Sequence, residues 1–267
     1  MKPFWKNSRK KKTKNPSTPP QQKPRTRAKP KSMEEPWKPP MAVPPKAMGQ
    51  ERTPITQMLE SARPVRKEYI PARPSTRKSE YYHEFRSNFQ QLLSPKCRPI
   101  DIWRDFIVMV ACAMSNTVDK AHYDEREKRY LEIINKYEES QQHIFPKLYA
   151  AVVLALDENP EQDFLGEMFM DLHLDYEELK QIFTPYHVCQ LMADITMDNL
   201  VEQIDKQGYV SINDCCCGAG ANLIAAINSA RHKLEDVGLN FQNHILIIGQ
   251  DIEELVALMC YIQISLL

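Results

Sequence analysis

The sequence predicts an α/β protein in which a helical segment precedes the first half of a doubly wound parallel sheet. A β-like run at 209–213 leads into a glycine-rich turn and a helical pattern, and a second apolar run at 244–249 leads through Gln250-Asp251-Ile252-Glu253 into another helical pattern. Two successive strand–helix units are typical of a parallel sheet. Before them, the chain has no glycine between positions 49 and 166, which favours helices there.

The chain begins with a basic, proline-rich segment, which we predict to be a disordered arm over residues 1–79. Residues 1–80 carry 21 Lys and Arg against 6 Asp and Glu, and they hold 15 of the 20 prolines. Such a composition buries too little apolar surface to offset the entropy lost on ordering. The cationic clusters suit salt-dependent contact with nucleic-acid phosphates, and they equally suit a solubilising tail.

The remainder of the chain is acidic, with 14 Lys and Arg against 29 Asp and Glu in residues 81–267. The chain starts without a secretory signal pattern and has no apolar run of about 18 residues, so we expect no membrane span. Seven cysteines without a secretory signal favour a reducing cytoplasm. Three of them are adjacent and cannot readily converge on one tetrahedral metal, so we expect no metal site.

Residues 80–180 are predicted to form a helical domain of four or five helices, because apolar residues recur there at helical spacing. Asn159-Pro160 interrupts the pattern before its last helix. The predicted helices cover Tyr82–Leu93, the residues after Pro99, His122–Ser140, Phe145–Leu156 and Phe164–Leu172.

Residues 181–267 are predicted to form the N-terminal half of a ligand-binding α/β domain. A helix is expected to run from Tyr186 to Thr196, with Thr184 as its N-cap and Pro185 at its first position. The residues expected to face inward on this helix are Val188, Leu191, Met192 and Ile195. The run 244–249 is apolar throughout, which predicts a parallel strand covered on both faces.

The turn Asp214-Cys-Cys-Cys-Gly-Ala-Gly220 is the strongest candidate for ligand binding. It lacks the third glycine of the dinucleotide fingerprint, and Asp214 would repel a pyrophosphate. S-adenosylmethionine carries an ammonium, a sulfonium and a ribose diol but no phosphate, and it therefore fits better. An NAD-dependent enzyme remains a weaker alternative.

Each candidate residue also has an ordinary structural interpretation. Asp251, at the carboxyl end of the second strand, is placed to accept hydrogen bonds from both ribose hydroxyls, or else to cap the next helix. Asp214 either binds a ligand amine or caps its own turn. Thr184 either holds a carboxylate together with the helix N-terminus or acts as a plain N-cap.

Three motifs in order resemble those of the adenine-N6 DNA methyltransferases, most closely the modification subunit of type I restriction systems. They are Phe-Thr-Pro at 183–185, the turn at 214–220 and Gly-Gln-Asp-Ile-Glu at 249–253, preceded by the lead-in Asp163-Phe-Leu-Gly-Glu-Met-Phe. Cys215 stands where the family usually has proline, and Gln181-Ile182 replaces its usual Gly-x. The resemblance implies a Rossmann-like sheet that binds S-adenosylmethionine, with DNA and a specificity or restriction subunit as partners.

The resemblance also assigns the cofactor contacts to particular residues. Thr184 and Pro185 would frame the methionine end, Asp214 would hold the amino group, and Asp251 would hold the ribose. The turn from Cys216 through Gly218 to Gly220 would form the backbone cradle. Ile252 would lie against the adenine.

One family motif, [DN]-P-P-[FY], does not occur among the 267 residues. In the family this tetrapeptide grips the flipped adenine, so we assign no catalytic residue and expect no methylation from this chain alone. The alternative is a non-catalytic module that binds DNA or a methyltransferase partner and keeps only a vestigial cofactor site.

Overall fold

The computed structural model describes residues 78–95, 97–174 and 183–267. The predicted arm, apart from Lys78 and Ser79, lies outside the described residues, and so does the predicted domain boundary at 180/181. The α-helices and β-strands in these ranges are, in chain order, α1 (Glu80–Leu92), α2 (Pro99–Val118), α3 (Tyr123–Ile134), α4 (Glu139–Gln142), α5 (Ile144–Glu158), α6 (Phe164–Asp171), α7 (Tyr186–Thr196), α8 (Leu200–Gln207), β1 (Val210–Asp214), α9 (Ala221–Glu235), β2 (Ile245–Gly249) and α10 (Glu254–Ser265), and a short 3-10 helix (Phe241–Asn243) precedes β2.

The described chain is mostly helical with a small two-stranded parallel sheet, as the α/β prediction requires. Several elements begin where local chemistry favours it: the Ser79 hydroxyl caps α1 by accepting from the Tyr82 N–H, and Pro99 occupies the first position of α2. No helix in the described ranges is long and apolar enough to cross a membrane.

Helices α1 to α6 are called the helical layer below, and all of them except α4 contribute to one core. Aromatic side chains form the centre of this layer. Phe85 is fully buried. The centroid of its ring lies 5.5 Å from that of Phe106, 5.7 Å from that of Phe164 and 5.8 Å from that of Trp103, all in edge-to-face orientations. This is the geometry that aromatic pairs prefer. The aromatic centre of the layer therefore lies where α1, α2 and α6 meet.

The helix predicted over His122–Ser140 is wrong at its C-terminal end, because α3 ends at Ile134. Beyond that point the chain turns back, and Gln142 donates to the carbonyls of Ile134 and Tyr137. The Tyr137 hydroxyl donates to Asp105 on α2, and the centroid of the Tyr137 ring lies 4.7 Å from that of Phe145. These tertiary contacts outweigh the local helical pattern.

The two strands pair in parallel, with Val210 opposite Ile245 and Asp214 opposite Gly249. Helices α9 and α10 pack on the same face of this sheet, against Ile212 and its neighbours. Leu246 points to the other face and is 44% exposed, so the expectation that β2 is covered on both faces is wrong for the described residues.

Helix α7 has the predicted bounds but the wrong face was assigned to the core. Cys189 and Ala193 are buried, whereas the four residues expected to face inward are exposed: Val188, Leu191, Met192 and Ile195. The reason is that α7 packs on α9 through small side chains, among them Ala225 and Ala226. Ser229 on α9 also donates to Asp194 across this contact. Pro185, not Thr184, is the N-cap residue, so the predicted cap was one position early.

Helix α10 belongs to two packing groups at once. Its Leu255, Val256 and Met259 join the core of the helical layer, while Cys260 packs with Cys217 and Leu223 beneath the sheet. Its most extensive helix–helix contact is with α2. The helical layer and the strand-end turns are therefore held by one helix.

Candidate functional site

Two turns meet at the carboxyl ends of the strands. Since β1 and β2 are parallel and in register, the turn after Asp214 and the turn after Gly249 lie side by side. This edge is where open α/β sheets bind ligands. The structure thus brings the predicted residues of both turns together.

Hydrogen bonds join the two turns directly. The Cys217 N–H donates to the Gln250 carbonyl at 2.9 Å, and the Gly218 N–H donates to Asp251 Oδ2 at 2.9 Å. Asp251 Oδ1 accepts from the Glu253 N–H at 3.0 Å. Asp251 is therefore a brace between the turns, and Glu253, not Asp251, is the N-cap residue of α10.

Asp214 is bound within its own turn. Its Oδ1 accepts from the Cys216 N–H at 3.1 Å, and its Oδ2 lies 3.4 Å from the amide nitrogen of Asn222. The other atom of that amide, Oδ1 of Asn222, is buried and has no hydrogen-bond partner among the described residues. Asp214 therefore caps its own turn, and each carboxylate oxygen keeps a further lone pair for a ligand.

Two glycines in this turn adopt a left-handed backbone, with φ of +52° at Gly218 and +103° at Gly220. A Cβ atom on Gly220 would lie 2.9 Å from the Cys260 sulfur, and one on Gly218 would lie 3.3 Å from the Phe183 ring. Glycine is favoured at both positions, because L side chains rarely adopt this backbone and there is little room for them. The contact with Gly218 also places the Phe-Thr-Pro segment beside the turn.

The remaining predicted site residues are open to solvent. Thr184 and Pro185 are exposed, and so is Cys216. Ile252 next to Asp251 is completely exposed. The Asp214 charge raises the pKa of the Cys216 thiol, which disfavours the nucleophilic thiolate. All seven cysteines are free thiols, and no cluster of three metal-binding side chains occurs in the described ranges.

A cavity of about 460 Å³ lies beside β1, where α7 and α8 face the strand. Its lining includes Met192, Ser211, Asn213 and Asp214. The backbone groups of Val210 and Asp214 point to β2, since the Val210 N–H donates to the His244 carbonyl and the Asp214 carbonyl accepts from Gln250. By the alternation of parallel strands, those of Ser211 and Asn213 point to the opposite edge. The cavity adjoins the site at Asp214.

Sequence reasoning missed a buried polar junction beneath the turn. Gln263 on α10 is fully buried, and its amide nitrogen donates to the Ala219 carbonyl at 2.9 Å and to Asp163 Oδ1 at 2.8 Å. Asp163 also accepts from the Gly166 N–H, as the N-cap of α6. The sequence signal for this junction was Gln263 itself, a polar residue within an otherwise apolar stretch of α10. The lead-in motif and the glycine turn therefore touch through Gln263.

Burial raises the pKa of the Asp163 carboxyl from 3.8 to about 6, opposed by hydrogen bonds from Gln263 and Gly166 and assisted by the Glu167 charge. Because the pKa is higher in the folded chain, the folded state holds the proton more tightly. Stability from this group is therefore greatest below pH 3.8 and declines as the pH rises to about 6. The difference between the two pKa values corresponds to roughly 3 kcal/mol of folding stability.

We expect Asp163→Asn to abolish this decline, since asparagine keeps an acceptor oxygen but does not ionise. The free energy of unfolding of the variant minus that of the natural chain should rise by roughly 2.4 kcal/mol between pH 4 and pH 7. Denaturant titrations of both proteins at the two pH values provide the measurement, and groups common to both cancel. A difference that stays constant with pH would show that Asp163 is not the buried acid described.

Comparison with known proteins adds one finding. Residues 161–266 match a family model described as N-6 DNA Methylase. No match is found among curated proteins or among solved structures. The matched segment contains all the predicted site residues and the Asp163–Gln263 junction, and residues 1–160 lie outside it.

Proposed function

We propose, from the match of residues 161–266 to the N-6 DNA methylase family model, that the chain binds S-adenosylmethionine for the methylation of adenine N6 in DNA. The observation that carries the proposal is the bond from the Gly218 N–H to Asp251, which joins the two strand-end turns into one surface. Such a surface presents backbone amides, carboxylates and an exposed apolar side chain together.

The charges of this surface favour S-adenosylmethionine over a dinucleotide. The carboxylates Asp214, Asp251 and Glu253 follow the two strands, and a pyrophosphate would be repelled by them. The ammonium and sulfonium groups of S-adenosylmethionine would be attracted. Gly218 and Gly220 allow the ligand to approach the backbone closely.

Each proposed contact uses an atom that retains bonding capacity. An ionised carboxylate has about four lone-pair sites, so Asp251 can hold Gly218 and Glu253 and still accept from two ribose hydroxyls. Asp214 would accept from the ligand ammonium in the same way. Thr184 and Pro185 would frame the methionine end, the backbone from Cys216 to Gly220 would enclose the ligand, and Ile252 would cover the adenine.

In this proposal the chain binds and orients the methyl donor. The bound S-adenosylmethionine supplies the methyl group that the adenine amine attacks, and positioning accounts for much of such catalysis. Since [DN]-P-P-[FY] is not among the 267 residues, turnover requires a base-gripping group that these residues do not supply. DNA and a specificity or restriction subunit of type I systems are the proposed partners, in the cytoplasm.

Calorimetric titration of the full chain with S-adenosylmethionine tests the proposal, with NAD titrated in parallel. We expect Asp251→Asn to weaken S-adenosylmethionine binding about 10-fold or more, because hydrogen bonds to charged groups contribute about 1.5–3 kcal/mol. The matched control is Asp236→Asn, an exposed aspartate at the end of α9, which should leave the affinity unchanged.

Three results would contradict the proposal. They are tighter binding of NAD than of S-adenosylmethionine, equal effects of the two substitutions, and no binding by the natural chain. The last result, combined with retention of the chain on DNA, would favour the non-catalytic module. Methyl transfer to DNA by the chain alone would overturn the expectation about turnover.

A further inference from the structure

The junction at Gln263 joins three segments that are far apart in sequence. Its Oε1 accepts from the Leu165 N–H at 2.9 Å, while its nitrogen donates to Asp163 on one side and to Ala219 on the other. Both N–H bonds of the amide and its oxygen are therefore used. No solvent reaches this side chain, which is 0% exposed.

The turn is held from two sides. On its outer side, Cys217 and Gly218 are bonded to the end of β2. On its inner side, the contact with Gln263 fixes the carbonyl of Ala219, a residue that lies between the two left-handed glycines. Ala219 is itself 1% exposed, so its carbonyl would be a buried orphan acceptor without this bond.

Asp163 makes the orientation of the Gln263 amide unambiguous. At neutral pH the carboxyl is ionised and can only accept, so its Oδ1 selects the nitrogen of the amide as its neighbour, at 2.8 Å. The second hydrogen of that nitrogen then faces Ala219. Asp163 in turn is fixed as the N-cap of α6 by the Gly166 N–H. The orientation of the turn is thus linked to the helical layer.

We propose that Gln263, oriented by Asp163, is the positioning residue of the Gly218–Gly220 turn, and that it holds this turn in the ligand-binding conformation. The inference rests on the proposed function for the identity of the ligand. Gln263 lies below the turn and acts through the Ala219 carbonyl.

The test is amide hydrogen exchange on the full chain without ligand, comparing Gln263→Met with the natural sequence. Methionine has a similar shape but cannot donate, so exchange in the peptide covering 214–223 should accelerate about 10-fold or more. Exchange in α1 and α5 should not change. The affinity for S-adenosylmethionine should fall by a similar factor.

The matched control is Asn228→Leu. Asn228 is another buried amide, 3% exposed, and it donates from α9 to the Pro160 carbonyl without touching the turn. We expect it to lower the free energy of unfolding while leaving exchange at 214–223 and S-adenosylmethionine affinity close to those of the natural chain. Equal exchange of the turn in both variants, or uniform acceleration throughout the chain, would overturn the inference.

A measurement on the natural chain keeps the inference testable if Gln263→Met does not fold. Because one amide holds both Leu165 and Ala219, protection of the Leu165 N–H and of the turn should be lost together as denaturant is added. If the turn opened at a much lower free energy than the Leu165 N–H, the inference would be overturned. Absence of S-adenosylmethionine binding by the natural chain would instead contradict the proposed function, since exchange requires no ligand.

Discussion

Replacing Phe85 by alanine is expected to lower the free energy of unfolding by about 3–5 kcal/mol. The side chain is fully buried and packs with aromatic rings at four other positions, so the vacated volume cannot collapse easily. The loss would be a large part of the 5–15 kcal/mol that typically stabilises a domain. Urea unfolding of the full chain, followed by circular dichroism, measures it.

Leu131→Ala serves as the control, because Leu131 on α3 is 46% exposed. We expect its effect to stay within about 0.5 kcal/mol. Similar losses for both substitutions, or a loss below about 1 kcal/mol for Phe85→Ala, would contradict the placement of Phe85 at the centre of the core.

Gly220→Ala is expected to cost about 2–5 kcal/mol by two separable effects. An L side chain at a φ of +103° costs about 1–2 kcal/mol. The added Cβ also meets the Cys260 sulfur at 2.9 Å and its Cα at 3.3 Å, and such overpacking typically costs about 1–3 kcal/mol. Thermal or urea unfolding gives the total, and S-adenosylmethionine titration should show weakened binding.

Gly238→Ala separates the two effects. Gly238 also has a positive φ, +75°, but a Cβ there would meet nothing within 4 Å. Its cost should therefore be that of the backbone alone, about 1–2 kcal/mol. Combining Gly220→Ala with Cys260→Ala should recover part of the loss, because the nearest atom is removed. Equal losses of unfolding free energy for Gly220→Ala and Gly238→Ala would contradict the predicted clash of the Gly220 Cβ with Cys260.

The strand-end turns were predictable because their residues carry local information. Glycines at 218 and 220 indicate backbone conformations that other residues avoid, and an acid after each strand marks the sheet edge. The order of these motifs along the chain then predicted the family, and residues 161–266 match the N-6 DNA methylase family model. The individual cofactor contacts remain predictions.

Elements decided by tertiary contacts were not predictable. The periodicity of α7 put its large apolar side chains inward, whereas the close approach of α9 selected Cys189 and Ala193. The pattern of α3 continued past Ile134, but contacts of Tyr137 with Asp105 and Phe145 turned the chain. Gln263 offered no local clue to its partner, because Asp163 is 100 positions away.

The sharing of helix α10 between the helical layer and the sheet has a consequence for folding kinetics. Ser115 on α2 bonds the Tyr261 hydroxyl across 146 positions, and α10 also packs on α6, which lies far earlier in the chain. Contacts of such separation require long loops to close, and this closure costs entropy. In a nascent chain the part of α2 that contacts α10 therefore stays uncovered by it until residues 254–265 have been synthesised.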